Sequence, residues 1–315
     1  MTISTVKKSW RPYIVLAFGL LAVSSSAILI RFAQDNGAPS LVISAWRVGV
    51  AWLVLTPFIL SGSGYRAELA KLDRKTLALA ALSGAFLAAH FSSWITSLEY
   101  TSVISSVVLV TTNPIWVVLA APFFLHEHLS RVTLGAVLIA GAGVILVSVA
   151  GNAGTAPHQN APLLGNALAL VGAIAVAGYY LIGRRVRATL SVIPYIWLTY
   201  GSATFFMVIL VLLTGQQVLG LKPEAYFWMT MVGLICQLIG HSAYNYALGY
   251  LSAVYVSLTI LGEPIGSTIL AALLLRELPA GWQLVGGALI LMALVIASRE
   301  EARTMRVIEQ EAAAT

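Results

Sequence analysis

The chain has 315 residues, of which 59% are hydrophobic and only 10% charged, with a mean hydropathy of +0.89. A soluble domain is about a quarter charged, so this composition excludes a water-soluble fold and indicates a polytopic membrane protein. The net charge of +6 comes from short basic clusters at the ends of apolar runs, a pattern that serves membrane topology rather than nucleic-acid binding.

In chain order, apolar runs of about 20 residues, enough to cross roughly 30 Å of hydrocarbon as helix, predict ten α-helices. They cover 12–30, 40–60, 76–97, 102–125 and 132–150, then, after the connector GNAGTAPHQNAP, 163–182, 192–214, 225–246, 252–275 and 281–298. Segments of about 10 residues alternating apolar and polar, the mark of a membrane β-barrel, do not occur. The fold class is therefore all-α. Lys7, Lys8 and Arg11 ahead of the first run would also suit a signal peptide. That run is long and lacks a small-x-small cleavage site, which predicts a retained helix 1. The single cysteine, Cys236, allows no intramolecular disulfide and no cysteine-based metal cluster.

Sorting Lys and Arg onto alternate sides gives fourteen on the side of the N-terminus and three, Arg31, Lys222 and Arg276, on the other. Arg47 falls within helix 2. This asymmetry predicts that both termini are cytoplasmic.

An internal repeat runs at a constant offset of 150. LEYTSVISSVVLVTTNPIWVVLAAPFFLHEHL, from Leu98, lies over LGYLSAVYVSLTILGEPIGSTILAALLLREL, from Leu248, matching Tyr100 with Tyr250, Ser102 with Ser252, Pro114 with Pro264 and Glu127 with Glu277. The unit has five helices, an odd number, so the two halves, 12–150 and 163–298, are expected to have inverted topologies. That arrangement underlies alternating access in many secondary transporters.

Two five-helix halves, each with a Tyr-x-Ser entry to its fourth helix, a mid-helix proline and a helix-end glutamate (LHEHL, LRELP), resemble the drug/metabolite transporter superfamily. HFSSWITSLEYTS at 90–102 and SLTILGEPIGSTILAALLLRE at 257–277 are similar to its EamA-domain branch. The resemblance covers residues 12–298. It implies a ten-helix permease of the plasma (inner) membrane, with a cavity between the halves and a small-molecule substrate such as an amino acid, exported.

Glu263 is the only acid deep within a predicted span and Arg47 the only base. A charge at the bilayer centre costs about 2.5–3.5 kcal/mol on insertion scales, so each is expected to face the bundle or a wet cavity. Glu263 reads either as a proton-coupling or substrate-contacting carboxyl or as a structural group that pairs with Arg47 or donates, while protonated, to a neighbouring helix. Arg47 reads either as a site for a substrate carboxylate or phosphate or as a packing residue. Arg31, at the end of helix 1, is expected to reach the interface.

The repeat sets Asn113-Pro114 opposite Glu263-Pro264, so each half has a polar residue beside a kink, placed either to line the cavity or only to shape the helix. His90 and His241 occupy corresponding regions of the halves, with Trp94, Tyr244 and Asn245 nearby, either as substrate or proton contacts or as packing. His126-Glu127-His128 aligns with Arg276-Glu277-Leu278, so the shared element is a carboxylate and no metal site is expected. Ala136, Gly141, Gly143, Gly286 and Gly287 suit close helix packing, within the chain or between subunits. The spans hold no G-x-S-x-G or H-E-x-x-H signature and the chain no P-loop, which argues against the alternative of an intramembrane enzyme and against direct ATP drive. No cofactor is expected. Membrane lipid and protons are the remaining expected partners; cargo and oligomeric state are not legible.

Overall fold

The computed structural model describes residues 10–124, 130–151, 160–276, 278 and 281–314, and the described residues hold helices and no strand. Lys7, Lys8, His126, Glu127, His128, Glu277 and most of the 151–162 connector lie outside them. Among the described residues seven helices are long and apolar enough to cross a membrane: Arg11–Asp35, Ser40–Ser61, Arg74–Ser97, Val103–Phe124, Pro162–Arg187, Val192–Thr214 and Ala253–Leu275. The ten expected spans are therefore met by seven of that length. Helices 5 and 10 carry shorter apolar stretches, Arg131–Gly143 and Leu284–Ala297. Helix 8 is divided into Pro223–Met231, a π-helical stretch Val232–His241, and Ser242–Ala247.

Several ends differ from the sequence expectation for identifiable reasons. Helix 1 bends at Ser25, where Ser24 Oγ donates to the Leu20 carbonyl and Ser25 Oγ to that of Ala22, both at 2.8 Å. Serine back-bonding of this kind bends helices. Helix 6 runs five residues past its expected end, to Arg187, with Arg184, Arg185 and Arg187 in its last turn, where cations meet the negative end of the helix dipole. Helix 7 stops at Gly215, which takes the left-handed conformation (φ 63°) that a side chain disfavours. Helix 10 continues as Gly281–Ala314. A short helix, Ser63–Ala70, stands where a loop was expected.

Ser102 and Ser252, equivalent in the repeat, do the same job. Each Oγ accepts from the backbone N–H three residues on, Ser105 or Tyr255, at 3.1 Å, capping helix 4 and helix 9 respectively. Helix 3 is capped by Asp73, whose carboxylate accepts from Thr76 N at 2.9 Å; those hydrogen bonds hold the exposed carboxyl below its ordinary range.

The two halves interlock. Helix 3 packs along helix 6, helix 5 along helix 10, helix 7 against helices 2 and 3, and helix 1 against helix 8. Small residues set these distances. A Cβ at Gly143 would lie 2.7 Å from the Gly286 carbonyl oxygen, so this part of the small-residue stripe serves packing inside the chain, whereas Gly287 opens on free space.

Both ends of the bundle are held by side chains bonded to backbone. At one end Arg31, expected at the interface, is instead buried and donates to the Thr101 carbonyl at 3.3 Å, because the turn between helices 3 and 4 folds over it. Ser40 there donates to the Glu99 carboxylate. At the other end Arg184 donates to the Leu248 carbonyl at 2.9 Å and Arg187 to that of Asn245 at 3.0 Å. Glu68 of the short helix accepts from Ser191 N at 2.6 Å and Oγ at 2.5 Å, closing the first turn of helix 7. Ser40 and Ser191 begin the second helix of each half.

A Cβ at Gly84 would lie 2.6 Å from both the Thr199 carbonyl oxygen and Ser202 Cβ, where helix 3 meets helix 7. Gly84→Ala is therefore expected to destabilise the protein by about 1–3 kcal/mol. Gly135→Ala, which meets nothing within 4 Å, should leave stability unchanged or slightly raised. Thermal unfolding of the two variants in the same detergent checks the contrast.

Candidate functional site

Helices 4 and 9 are both broken at the point of the repeated prolines. In helix 4 the first segment, Val103–Val110, ends at two threonines that back-bond, Thr111 Oγ1 to the Val108 carbonyl at 2.9 Å and Thr112 Oγ1 to that of Leu109 at 2.8 Å. A new segment starts at Asn113. In helix 9 a 3₁₀ turn, Ile260–Gly262, precedes a new segment starting at Glu263. Proline lacks an N–H and suits the first turn of a helix, so each proline begins a segment, and its polar neighbour sits at the electropositive helix start.

Asn113 and Glu263 line one cavity together with Ser26 of helix 1, Arg47 of helix 2, His90 and Trp94 of helix 3, Tyr180 of helix 6, and His241 and Tyr244 of helix 8. Its volume is about 30 Å³, room for one or two water molecules. Both halves of the chain therefore contribute to it.

Arg47 is fully buried. Nε donates to Gln237 Oε1 at 2.9 Å and Nη1 to Ser26 Oγ at 2.8 Å, while Cζ lies 3.9 Å from the centroid of the Phe91 ring. A guanidinium over an aromatic face gains cation–π attraction, which is larger where water is excluded. Of the readings open for Arg47, the hydrogen bonds go neither to Glu263 nor to a backbone carbonyl: its bonded nitrogens go to Gln237 and Ser26.

His90 and His241 come together, with ring centroids 6.3 Å apart. His90 Nδ1–H donates to the Gly172 carbonyl at 2.9 Å, which fixes its ring, and the ring stacks on Trp94 at 5.7 Å. His241 packs its edge on Phe91 at 5.2 Å. Five buried polar atoms facing this cavity have no hydrogen-bond partner among the described residues: Arg47 Nη2, Trp94 Nε1, Asn113 Oδ1, His241 Nδ1 and Tyr244 Oη. Buried polar groups are nearly always satisfied, so these five are left for water or a polar solute to bond.

Three expected site residues stand elsewhere. Asn245 is behind the cavity, where its Nδ2 donates to Tyr179 Oη at 2.5 Å and to the His241 carbonyl at 2.8 Å, knitting a tyrosine cluster. Pro264 lines an outward apolar groove between helices 9 and 10 with Ile265 and Leu291, and Pro114 is buried without lining the cavity; the prolines shape helices. Sequence reasoning missed Ser26, Gln237, Tyr180 and Phe91. A faint signal existed for two of them, since the serine triplet 24–26 and the amide Gln237 interrupt apolar runs. Among the described residues no group of three His, Cys, Asp or Glu could hold a metal ion.

A model of the EamA-like transporter family matches residues 10–149 and again 163–299. Among curated proteins the chain is 27% identical over 189 residues to "Uncharacterized transporter YetK" of Bacillus subtilis (strain 168), a match covering 59% of this chain and 55% of that protein. It is 24% identical over 179 residues to "Uncharacterized transporter YdfC" of the same organism, covering 57% of each. The chain thus spans little more than half the length of these curated relatives. A solved structure described only as "Crystal structure of protein" shares the fold, with a TM-score of 0.72 at 16% identity over 93% of this chain and 98% of that one.

The Arg47–Phe91 contact should be measurable as a coupling. Phe91→Leu is expected to cost about 0.5–2 kcal/mol more in the presence of Arg47 than in an Arg47→Met background, the range for a desolvated cation–π pair. Unfolding free energies of the two single variants and the double variant give the cycle.

Proposed function

The chain belongs to the EamA-like transporter family, and from that premise we propose that it is a secondary carrier that moves small metabolites, amino acids among them, out of the cell by alternating access. The observation that carries this reading is the set of unpartnered polar atoms around a cavity built from both halves. We propose further that the helical segments make ten crossings of the plasma membrane, in repeats 12–150 and 163–298 of inverted topology, with both termini cytoplasmic.

In this reading the contacts at the two ends of the bundle are its gates. The outer closure comprises Arg31 on the Thr101 carbonyl and Ser40 on Glu99. The inner closure comprises Arg184 and Arg187 on the Leu248 and Asn245 carbonyls and Glu68 on Ser191. Alternating access requires that these release one at a time. Glu263, buried and lining the cavity at the break in helix 9, is the proposed carrier of a coupled proton, taken up while the cavity faces one side and released on the other.

Counterflow into proteoliposomes loaded with pooled amino acids and metabolites, under two pH gradients, tests both parts. With one proton per solute, a gradient of one pH unit supports roughly tenfold accumulation. Glu263→Gln is expected to keep exchange at equal pH and to lose the gradient-driven accumulation. Unchanged pH dependence in that variant sinks the coupling role; no exchange with any pool sinks the carrier.

A further inference from the structure

We infer that the cavity recognises its solute through a carboxylate seated on Arg47 Nη2, and that Gln237 is the positioning residue that aims this nitrogen. The inference rests on the carrier reading and deepens it.

Arg47 carries a buried charge whose hydrogen bonds are made to neutral groups. Both hydrogen bonds that hold the guanidinium go to neutral oxygens, Gln237 Oε1 and Ser26 Oγ, and the third contact is the Phe91 face. Glu263 lines the same cavity but is not among the hydrogen-bond partners of the guanidinium, and neutral partners recover little of the hydration that a fully buried cation loses. The remaining nitrogen, Nη2, is unpartnered at the cavity. Trp94 Nε1, which donates only, is unpartnered there too, as is the Tyr244 hydroxyl. Helices 2, 3 and 8 therefore present a cation and N–H and O–H donors, and a carboxylate satisfies them with charge-assisted bonds. Helices 4 and 9 bring acceptors, Asn113 Oδ1 and the Glu263 carboxyl, suited to an ammonium or another donor on the same solute.

Gln237 owes its position to the π-helical stretch Val232–His241. Bonding one residue further along than in an α-helix widens the turn, and such stretches recur at functional sites. Here Cys236, Gln237, Gly240 and His241 all turn inward. Gly240 lets helix 1 approach closely, since a Cβ there would lie 2.6 Å from Val23 Cγ1. Ser26, less than one turn beyond Val23, thereby reaches Nη1. With Nε held by Gln237 and Nη1 by Ser26, the guanidinium plane has no freedom left, and Nη2 is fixed toward the cavity.

The test uses the full chain in proteoliposomes and four probes of matched size: L-alanine, propionate, L-alaninamide and propionamide. Carboxylates are expected to exchange at least tenfold faster than their amides; alanine against propionate reports whether the acceptors add recognition of an amine. Gln237→Leu is expected to raise the KM for the carboxylate probe at least tenfold with kcat changed less than threefold, a split that a merely structural role would not produce. If that variant fails to fold, Gln237→Glu serves, since its own carboxylate meets Arg47. It is expected to keep the thermal stability and lose the preference for carboxylates. Equal exchange of propionate and propionamide overturns the inference and leaves the carrier intact, as does exchange of a broader metabolite pool with none of the carboxylates moving. A carboxylate KM unchanged in both Gln237 variants overturns the positioning role. Exchange with no solute at all overturns the carrier reading and this inference with it.

Discussion

Hydrocarbon offers no hydrogen bonds, and that constraint decides what a membrane-spanning backbone is permitted to do. A helix satisfies itself; a break in a helix must be satisfied by something else or face a wet space. This chain has breaks at Thr111–Thr112 and at Ile260–Gly262, and in both the polar residues next to the break face the interior. Threonine hydroxyls cover carbonyls on the N-terminal side, proline removes a donor that would have been orphaned, and Asn113 and Glu263 stand at the exposed helix starts. The cavity follows from these breaks. Unbroken, helices 4 and 9 would keep Asn113 and Glu263 within a continuous turn, and the polar groups of helices 1, 2, 3 and 8 would face them without a free helix start.

Much of this was legible because membranes make strong demands on sequence. The apolar runs placed the helices, and the 150-residue offset exposed the pairing of Pro114 with Pro264 and of Ser102 with Ser252, whose capping roles the structure repeats. Glu263, Arg47, Asn113, His90, His241, Trp94 and Tyr244 stood out as polar or amphipathic groups among hydrocarbon and do converge. What was not legible depends on contact across distant segments. The burial of Arg31 depends on a turn seventy residues away. The part played by Gln237 depends on a π-helical winding that hydrophobic periodicity does not reveal, and that of Phe91 on being the ring beneath a guanidinium. Asn245 was misplaced for the same reason: its neighbours in sequence line the cavity, while its own side chain turns toward Tyr179 and Tyr200.

The repeat is symmetric in frame and asymmetric in chemistry. Asn113 and Glu263 hold equivalent positions, yet one is neutral and the other is an acid, and Arg47, in the second helix of its half, has no counterpart base in Val192–Thr214, the second helix of the other. The kinks and caps belong to what the halves share. The charges belong to what distinguishes this chain, and they lie on the two sides of a cavity with room for little more than water.

The closures at the two ends have a property that ordinary apolar gates lack. Arg31, Arg184 and Arg187 each donate to a backbone carbonyl, those of Thr101, Leu248 and Asn245. When such a fastening lets go, both the guanidinium and the carbonyl need new partners at once, and only solvent can supply them in time. In the proposed alternating-access reading, opening is therefore coupled to hydration of the end that opens. On that reading the rate of opening responds to osmolytes that withdraw water from crevices.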